Sequence, residues 1–149
     1  MAWDEWIGRS EVRTDVLTSQ LLDRFHATLD LGPTGEVAPQ GMHWCLCLPD
    51  AATASLGPDG HPRRDLDDNS FLPSIPLPRR MWASSKVEFL ASIGVGTAIV
   101  RTSTVASITE KSGGSGQLVF VEVEHETRAD EVLAVKKMLD EKKGEKANV

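Results

Sequence analysis

The sequence is sparing in three features that would settle its class at once. It has only two cysteines, it carries 16 Lys and Arg against 22 Asp and Glu, and it has no long apolar run. A bilayer span needs about 20 consecutive apolar residues, so a transmembrane helix is not expected. The formal charge of −6 argues for solubility and against a nucleic-acid partner, which ordinarily requires a basic surface. The opening stretch MAWDEWIGRS carries Asp4 and Glu5 and has no basic segment leading into an apolar core, so no secretory leader is read there. It is equally short of the arginines of a mitochondrial transit peptide. Cys45 and Cys47 stand one residue apart without a second ligand pair. On a strand they would share a face, and they read as reduced packing thiols rather than a metal site. These absences together describe a cytoplasmic protein with no membrane contact and no metal.

What the chain does contain suffices for one domain. At 149 residues it can bury about 68–70% of the surface its unfolded form exposes, without help from disulfide or metal. In RTDVLTSQLLDRFHATLDLG, Leu17, Leu21, Phe25 and Leu29 recur every four residues with Leu22 beside them, which predicts an amphipathic helix over 15–29. Thr14 and Asp15 can cap its start, and Gly32 followed by Pro33 stops it. Residues 32–78 are rich in proline and glycine and read as a long loop around the apolar island MHWCLCL. Pro58-Asp59-Gly60 is a turn, and the flanking Trp44, Leu46, Leu48, Phe71, Leu72 and Ile75 predict that the loop is tied down.

From Ser84 onward the chain reads as strands. SKVEFLASI, TAIVRTSTVASITEK and QLVFVEVEHET follow one another with a hairpin at 111–116, which predicts an antiparallel meander. In the last of them Val119, Val121 and Val123 share one face, while the other turns from Leu118 and Phe120 to Glu122, Glu124 and Glu126. The tail ADEVLAVKKMLDEKKGEKANV stays open. Val132, Val135, Leu139 and the Lys136–Asp140 pair suit a short helix, and propensity favours helix from Met138; Leu133, Val135 and Lys137 alternate as an edge strand would.

Three stretches carry a resemblance: LGPDGHP at 56–62, PLPRRMWA at 76–83 and SGQLVFVEVEHE at 115–126. With WIGRS near the start and His43-Trp44 between, they resemble the N-terminal half of the MaoC-like hot-dog family that includes fungal hydroxyacyl-thioester dehydratases and mesaconyl-CoA/itaconyl-CoA hydratases. The similarity runs over roughly residues 3–135. It implies an α+β hot-dog fold, an antiparallel sheet wrapped around one helix, with a final strand beginning near 133–135. Relatives usually close that strand with a segment resembling V-Y-R; here the chain reads KKMLDEKKGEKANV, so the tail 136–149 is expected to be short, frayed or helical. The resemblance also implies a substrate, an acyl-CoA thioester, and no separate cofactor. Hydratases of this class use Asp and His in a motif resembling D-x-N-P-x-H, which in two-hot-dog members lies in the C-terminal half. DLDDNSFLP holds acids and Asn but lacks the His, and the chain stops before such a half.

Hydrating an enoyl thioester takes a base for water, an acid for Cα and an N–H donor for the thioester oxygen. Asp59 and His61 are close enough in sequence for such work, but an Asx-type turn supporting the loop, or a substrate contact, explains them as well. His43 beside Trp44 reads as packed, His26 as a solvated helix flank, and His125 as a satisfied, half-buried histidine. Arg79 and Arg80 suit the phosphates of coenzyme A, with Met81 and Trp82 bordering the acyl thioester. Against this, one arginine could pair with Asp65, Asp67 or Asp68, and Trp82 could belong to the core. KSGGSG has the glycines of a phosphate loop without the following helix, and reads as a hairpin.

Catalytic residues are therefore expected to be none, with Arg79, Arg80, Met81, Trp82, Asp59 and His61 as substrate-binding candidates. The expected role is a non-catalytic hot dog that forms part of an acyl-CoA tunnel and pairs with a catalytic one. The acyl group would be branched or dicarboxylic. The alternative is a stand-alone acyl-thioester-binding or structural homodimer without turnover.

Overall fold

The computed structural model describes residues 3–64, 70–114 and 116–144. Its elements are β1 (Ser10–Val16), α1 (Ser19–Thr28), β2 (Arg79–Phe89), β3 (Ala98–Gly113), β4 (Gly116–Ala129) and β5 (Val132–Gly144), with single 3-10 turns at Asp4–Trp6, Met42–Cys45 and Thr53–Ser55. The five strands form one antiparallel sheet in the order β1-β3-β4-β5-β2. This is the hot-dog arrangement, with α1 packed against the concave face. Among the described residues no helix is long and apolar enough to cross a membrane.

Several sequence expectations need correcting. The helix begins at Ser19, because Thr18 rather than Thr14 or Asp15 caps it, its Oγ1 accepting from Leu21 N at 3.2 Å. Thr14 and Asp15 belong to β1, a strand hidden from a pattern search by its polar sequence SEVRTDV. The Asp15 carboxylate accepts instead from the backbone of Cys47 at 2.8 Å, fastening the loop to this strand. Cys45 and Cys47 are not on a strand: Cys45 ends a 3-10 turn, and Cys47 is buried with φ 56°. Leu29, counted on the apolar stripe, is exposed, while Leu17 and Leu22 are fully buried.

The meander consists of β3, β4 and β5, not of the three strands read from Ser84. β2 lies at the far edge and among the described residues pairs only with β5, from Arg79↔Gly144 to Phe89↔Val135. That pairing exists because the tail is neither helical nor frayed as far as Gly144. β5 is bonded on both sides, by β4 and β2, and two ladders of backbone bonds outweigh the helix propensity of Met138 and its neighbours. Residues 145–149 lie outside the described residues.

Two apolar clusters fill the concave face. One gathers Leu17, Leu22, Met42, Leu46, Ile99 and Val135 around the helix; the other sets Trp6 and Ile75 over Val105, Val119, Val121 and Val123. The long loop is tied down as expected, with Met42, Leu46 and Pro73 almost wholly buried. Directly opposed residues share a face, so Ser103, His125, Lys137 and Val87 form one row across the concave side, between the clusters. A bulge between Trp82 and Ser84 re-aims the start of β2. It shifts the register by one, so that Trp82 opposes Glu141 and Arg80 opposes Lys143. Both side chains thereby join Ser85 and Val87 on the concave face instead of alternating away from it.

Candidate functional site

The segment 56–63 is a tight, self-bonded loop. Gly57 N donates to His61 O at 2.7 Å, Gly60 N donates to Gly57 O at 3.0 Å, and Arg63 N reaches Ser55 O at 3.0 Å. Asp59 closes it: Oδ1 accepts from His61 N at 3.1 Å, the Asx turn anticipated for this tripeptide. That backbone N–H is the main reason the carboxyl is held below its ordinary value. The His61 ring, with Nδ1 3.5 Å from Asp59 Oδ2, stands in solvent.

This loop faces the start of β2. Arg79 is exposed, Arg80 and Met81 are half-buried, and Trp82 is 61% exposed, which rules out the core placement weighed as its alternative. Arg80 lies beside an acid, Glu141; the loop acids Asp65, Asp67 and Asp68, expected as partners, lie outside the described residues. Arg80 Nε lies 3.5 Å from Glu141 Oε1 without hydrogen-bond geometry, and Arg64 holds the same carboxylate bidentately, at 2.8 Å to each oxygen. Glu141 thus orders two arginines that come from the loop and from β2.

Asp59, His61, Arg79, Arg80, Met81 and Trp82 all line one cleft of about 640 Å³, floored by Leu139 and Glu141 of β5. A second hollow of about 710 Å³ shares Asp59, His61, Arg64, Pro78 and Arg80, and adds Lys143, whose ammonium is pushed below its ordinary value by burial and then by Arg80 and Arg64. Chemically the cleft offers arginine forks at its rim and apolar surface below them, which suits a ligand with a phosphorylated head and an apolar stem.

Farther along the concave face lies a group that sequence reading left scattered. His125 Nδ1 is 2.7 Å from Ser103 Oγ, and the ring titrates at about 3, mainly because burial disfavours its charge and then because Lys137, Arg101 and His43 are near. The His43 ring packs on Trp44 with centroids 4.3 Å apart, and burial followed by Lys137 and Arg101 brings it to about 4. His125 is hydrogen-bonded and half-buried as expected, while His43 is packed but leaves both ring nitrogens without a partner. Neither histidine has a carboxylate partner among the described residues, where the sole His–acid contact is the exposed His61–Asp59 pair. Arg64 and Glu141 were missed because nothing local links two residues so far apart. The signal for Lys137 was its alternation with Val135 and Leu139, available only once the tail is read as a strand.

Comparisons with known proteins agree with this architecture. The model of the family described as hydroxyacyl-thioester dehydratase type 2 matches residues 41–143. The chain is 36% identical over 143 residues to the mesaconyl-C(4)-CoA hydratase of Chloroflexus aurantiacus, covering 93% of this chain and 49% of that protein. It therefore spans about half the length of that curated relative. Among solved structures it superposes on a chain of the ChsH1-ChsH2 complex from Mycobacterium tuberculosis with a TM-score of 0.63 at 11% identity, covering 94% of this chain and 85% of that one. The MaoC-like dehydratase from Rhodospirillum rubrum gives a TM-score of 0.58 at 12% identity, covering 95% and 94%.

Proposed function

Because the chain belongs to the hydroxyacyl-thioester dehydratase type 2 family, we propose that it is the non-catalytic hot dog of an enoyl-CoA hydratase or 3-hydroxyacyl-thioester dehydratase. In this reading it walls part of the acyl-CoA tunnel and pairs with a second hot dog that carries the catalytic Asp and His. The observation behind the division of labour is the missing dyad: of the histidines on the concave face, His125 bonds to Ser103 and His43 to no polar group among the described residues. Hydration requires a base that takes a proton from water as its oxygen bonds to Cβ. The π electrons move toward the thioester oxygen, and an acid then protonates Cα. His61 and Asp59, tied into a solvent-exposed turn, lack the water-excluded setting that such proton transfers favour.

Pairing is supported by the edge of the sheet. Among the described residues β2 is bonded on one side only, and Trp82 and Phe89 on it, with Trp44 nearby, remain exposed. An open edge bearing aromatic side chains is a surface that another strand can cover. The two-protein complex among the structural neighbours, and the double length of the Chloroflexus hydratase, are compatible with a second hot dog either as a separate subunit or in the same polypeptide. At the rim of the cleft, Arg79 has no ion pair among the described residues and can turn toward the phosphates of coenzyme A.

The test is hydration of crotonyl-CoA and mesaconyl-CoA by the purified chain, alone and co-expressed with a MaoC-like hot dog that has the Asp/His motif. We expect no turnover alone and a stable complex with turnover together. Turnover by the chain alone, abolished in His61→Ala, would assign the chemistry to this polypeptide and sink the proposal. A soluble, inactive homodimer that ignores every catalytic hot dog would instead favour a stand-alone binding protein.

A further inference from the structure

Where β2 meets β5, Arg80 lies directly opposite Lys143 on the concave face. Like charges directly opposite on neighbouring strands are destabilising, and an anion between them removes the penalty. Both side chains line the hollow of about 710 Å³ beneath the Asx-turn loop, and Arg63 and Arg64 enter it from the end of that loop. The nearby carboxylates are already committed. Arg64 holds Glu141 bidentately, and Asp59 accepts from the backbone of its own turn. The cations thus converge on a space with room for an anion and with none of their own left to fill it.

Lys143 also differs from the other described lysines, each of which is engaged. Lys136 Nζ lies 3.4 Å from Glu124, and Lys86 Nζ lies 3.6 Å from Glu88. Lys137 stands over the Trp44 ring, and Lys111 and Lys142 over that of Phe120. Lys143 has neither an ion pair nor a ring contact among the described residues. Burial, then Arg80 and Arg64, hold its ammonium below the ordinary value, so more of it is free amine at neutral pH. An unpartnered amine beside guanidinium forks supplies what aminolysis of an anionic acyl donor needs. One group is the nucleophile, and the others hold the leaving group.

We propose that Lys143 is an acylation site whose donor is a small acyl phosphate, held by Arg64 and Arg80 with its carbonyl carbon against the amine. In an acyl phosphate one bridging oxygen joins the carbonyl carbon to phosphorus. A phosphate gripped by Arg80 therefore leaves the carbonyl within the spacing of two paired strands, about 5 Å. The neutral amine attacks the carbonyl carbon and a C–N bond forms. The bond from that carbon to the bridging oxygen breaks, its electron pair leaves with the phosphate, and the phosphate takes the proton lost by nitrogen. Arginine forks stabilise the charge that grows on the leaving group. The product amide is neutral, which removes the like charge facing Arg80. Reaction at Lys143 needs neither a coenzyme A thioester nor a second hot dog.

Acetyl phosphate is the probe. Incubated with the full chain at neutral pH and mapped by peptide mass spectrometry, it should acetylate Lys143 about 10–100-fold faster than Lys86, the range of one charge-assisted hydrogen bond. Lys86 is the stringent reference, because its side chain is 80% exposed. Acetic anhydride, a neutral donor with no phosphate to hold, should show a much smaller preference. Inorganic phosphate should slow labelling at Lys143 and leave Lys86 unaffected, and Arg80→Gln should bring the Lys143 rate down toward that of Lys86. The competition uses the unsubstituted protein, so it decides the matter even if the variant does not fold. Labelling of Lys143 no faster than Lys86, an equal preference with acetic anhydride, or indifference to phosphate would each overturn the site.

Discussion

Mild acid should weaken this fold well before its carboxylates titrate. His43 and His125 have an ordinary value of 6.5 but titrate at about 4 and about 3 in the folded chain. A histidine with a depressed folded value binds its proton in the unfolded chain first. Above 6.5 the two states bind equally and no penalty exists; as the pH falls below 6.5 the unfolded state gains protons and stability is lost, down to the folded value. Each pH unit in that window costs about 1.4 kcal/mol per histidine. Between 6.5 and 5 this is about 2 kcal/mol for each, and about 4 kcal/mol for the pair, against the roughly 5–15 kcal/mol that holds a domain together. Carboxylates begin to matter only near pH 4. Asp140, whose carboxyl burial raises, works in the opposite sense there. Urea denaturation at pH 7.5, 6 and 5 should show the midpoint falling at constant m-value, and a His43→Phe/His125→Asn double variant should flatten the dependence. A midpoint unchanged between pH 7.5 and 5, or a double variant with the original slope, would refute the argument.

Leu22→Ala, which empties a fully buried position under the helix, should cost about 2–5 kcal/mol in the same assay. Glu141→Gln should destabilise by about 1–3 kcal/mol, since Arg64 and Arg80 lose the carboxylate they share, and Arg80→Gln should cost less because the bidentate Arg64 pair survives. Arg79→Ala should weaken binding of a CoA thioester more at low salt than at high, measured by calorimetry; affinity unchanged at both would remove its phosphate-holding role.

The sequence disclosed some elements and concealed others for identifiable reasons. β4 was plain because Val119, Val121 and Val123 alternate without interruption, and α1 because Leu17, Leu21 and Phe25 keep a four-residue spacing. β1 was concealed because an edge strand that presents Glu11, Arg13 and Asp15 to a polar belt has no apolar face to display. β5 was concealed because Lys137, Glu141 and Lys143 occupy its inward positions, where a pattern search looks for Val or Leu. The cleft was half legible. Its six candidate residues were named from two short motifs, yet their meeting depends on a bulge at Ala83 and on Glu141, neither of which has a local signature. Lys137 could not be singled out until its neighbours across β4 and β3, His125 and Ser103, were known.

The order of the strands also governs how the chain can assemble. β2 is synthesised before β3, β4 and β5, but its sole partner in the sheet is β5. As the polypeptide leaves the ribosome, β1, β3 and β4 can zip together while the segment bearing Arg79 to Phe89 waits, with both of its edges open, for a strand tens of residues downstream. A nascent chain halted between β4 and β5 should therefore hold a folded β3–β4 hairpin and a β2 that any protease or foreign strand can reach. Completion of β5 both finishes the sheet and draws Arg80 and Trp82 into register beside Glu141. The cleft then comes into being as a late event of biosynthesis, in the same step that makes the fold whole.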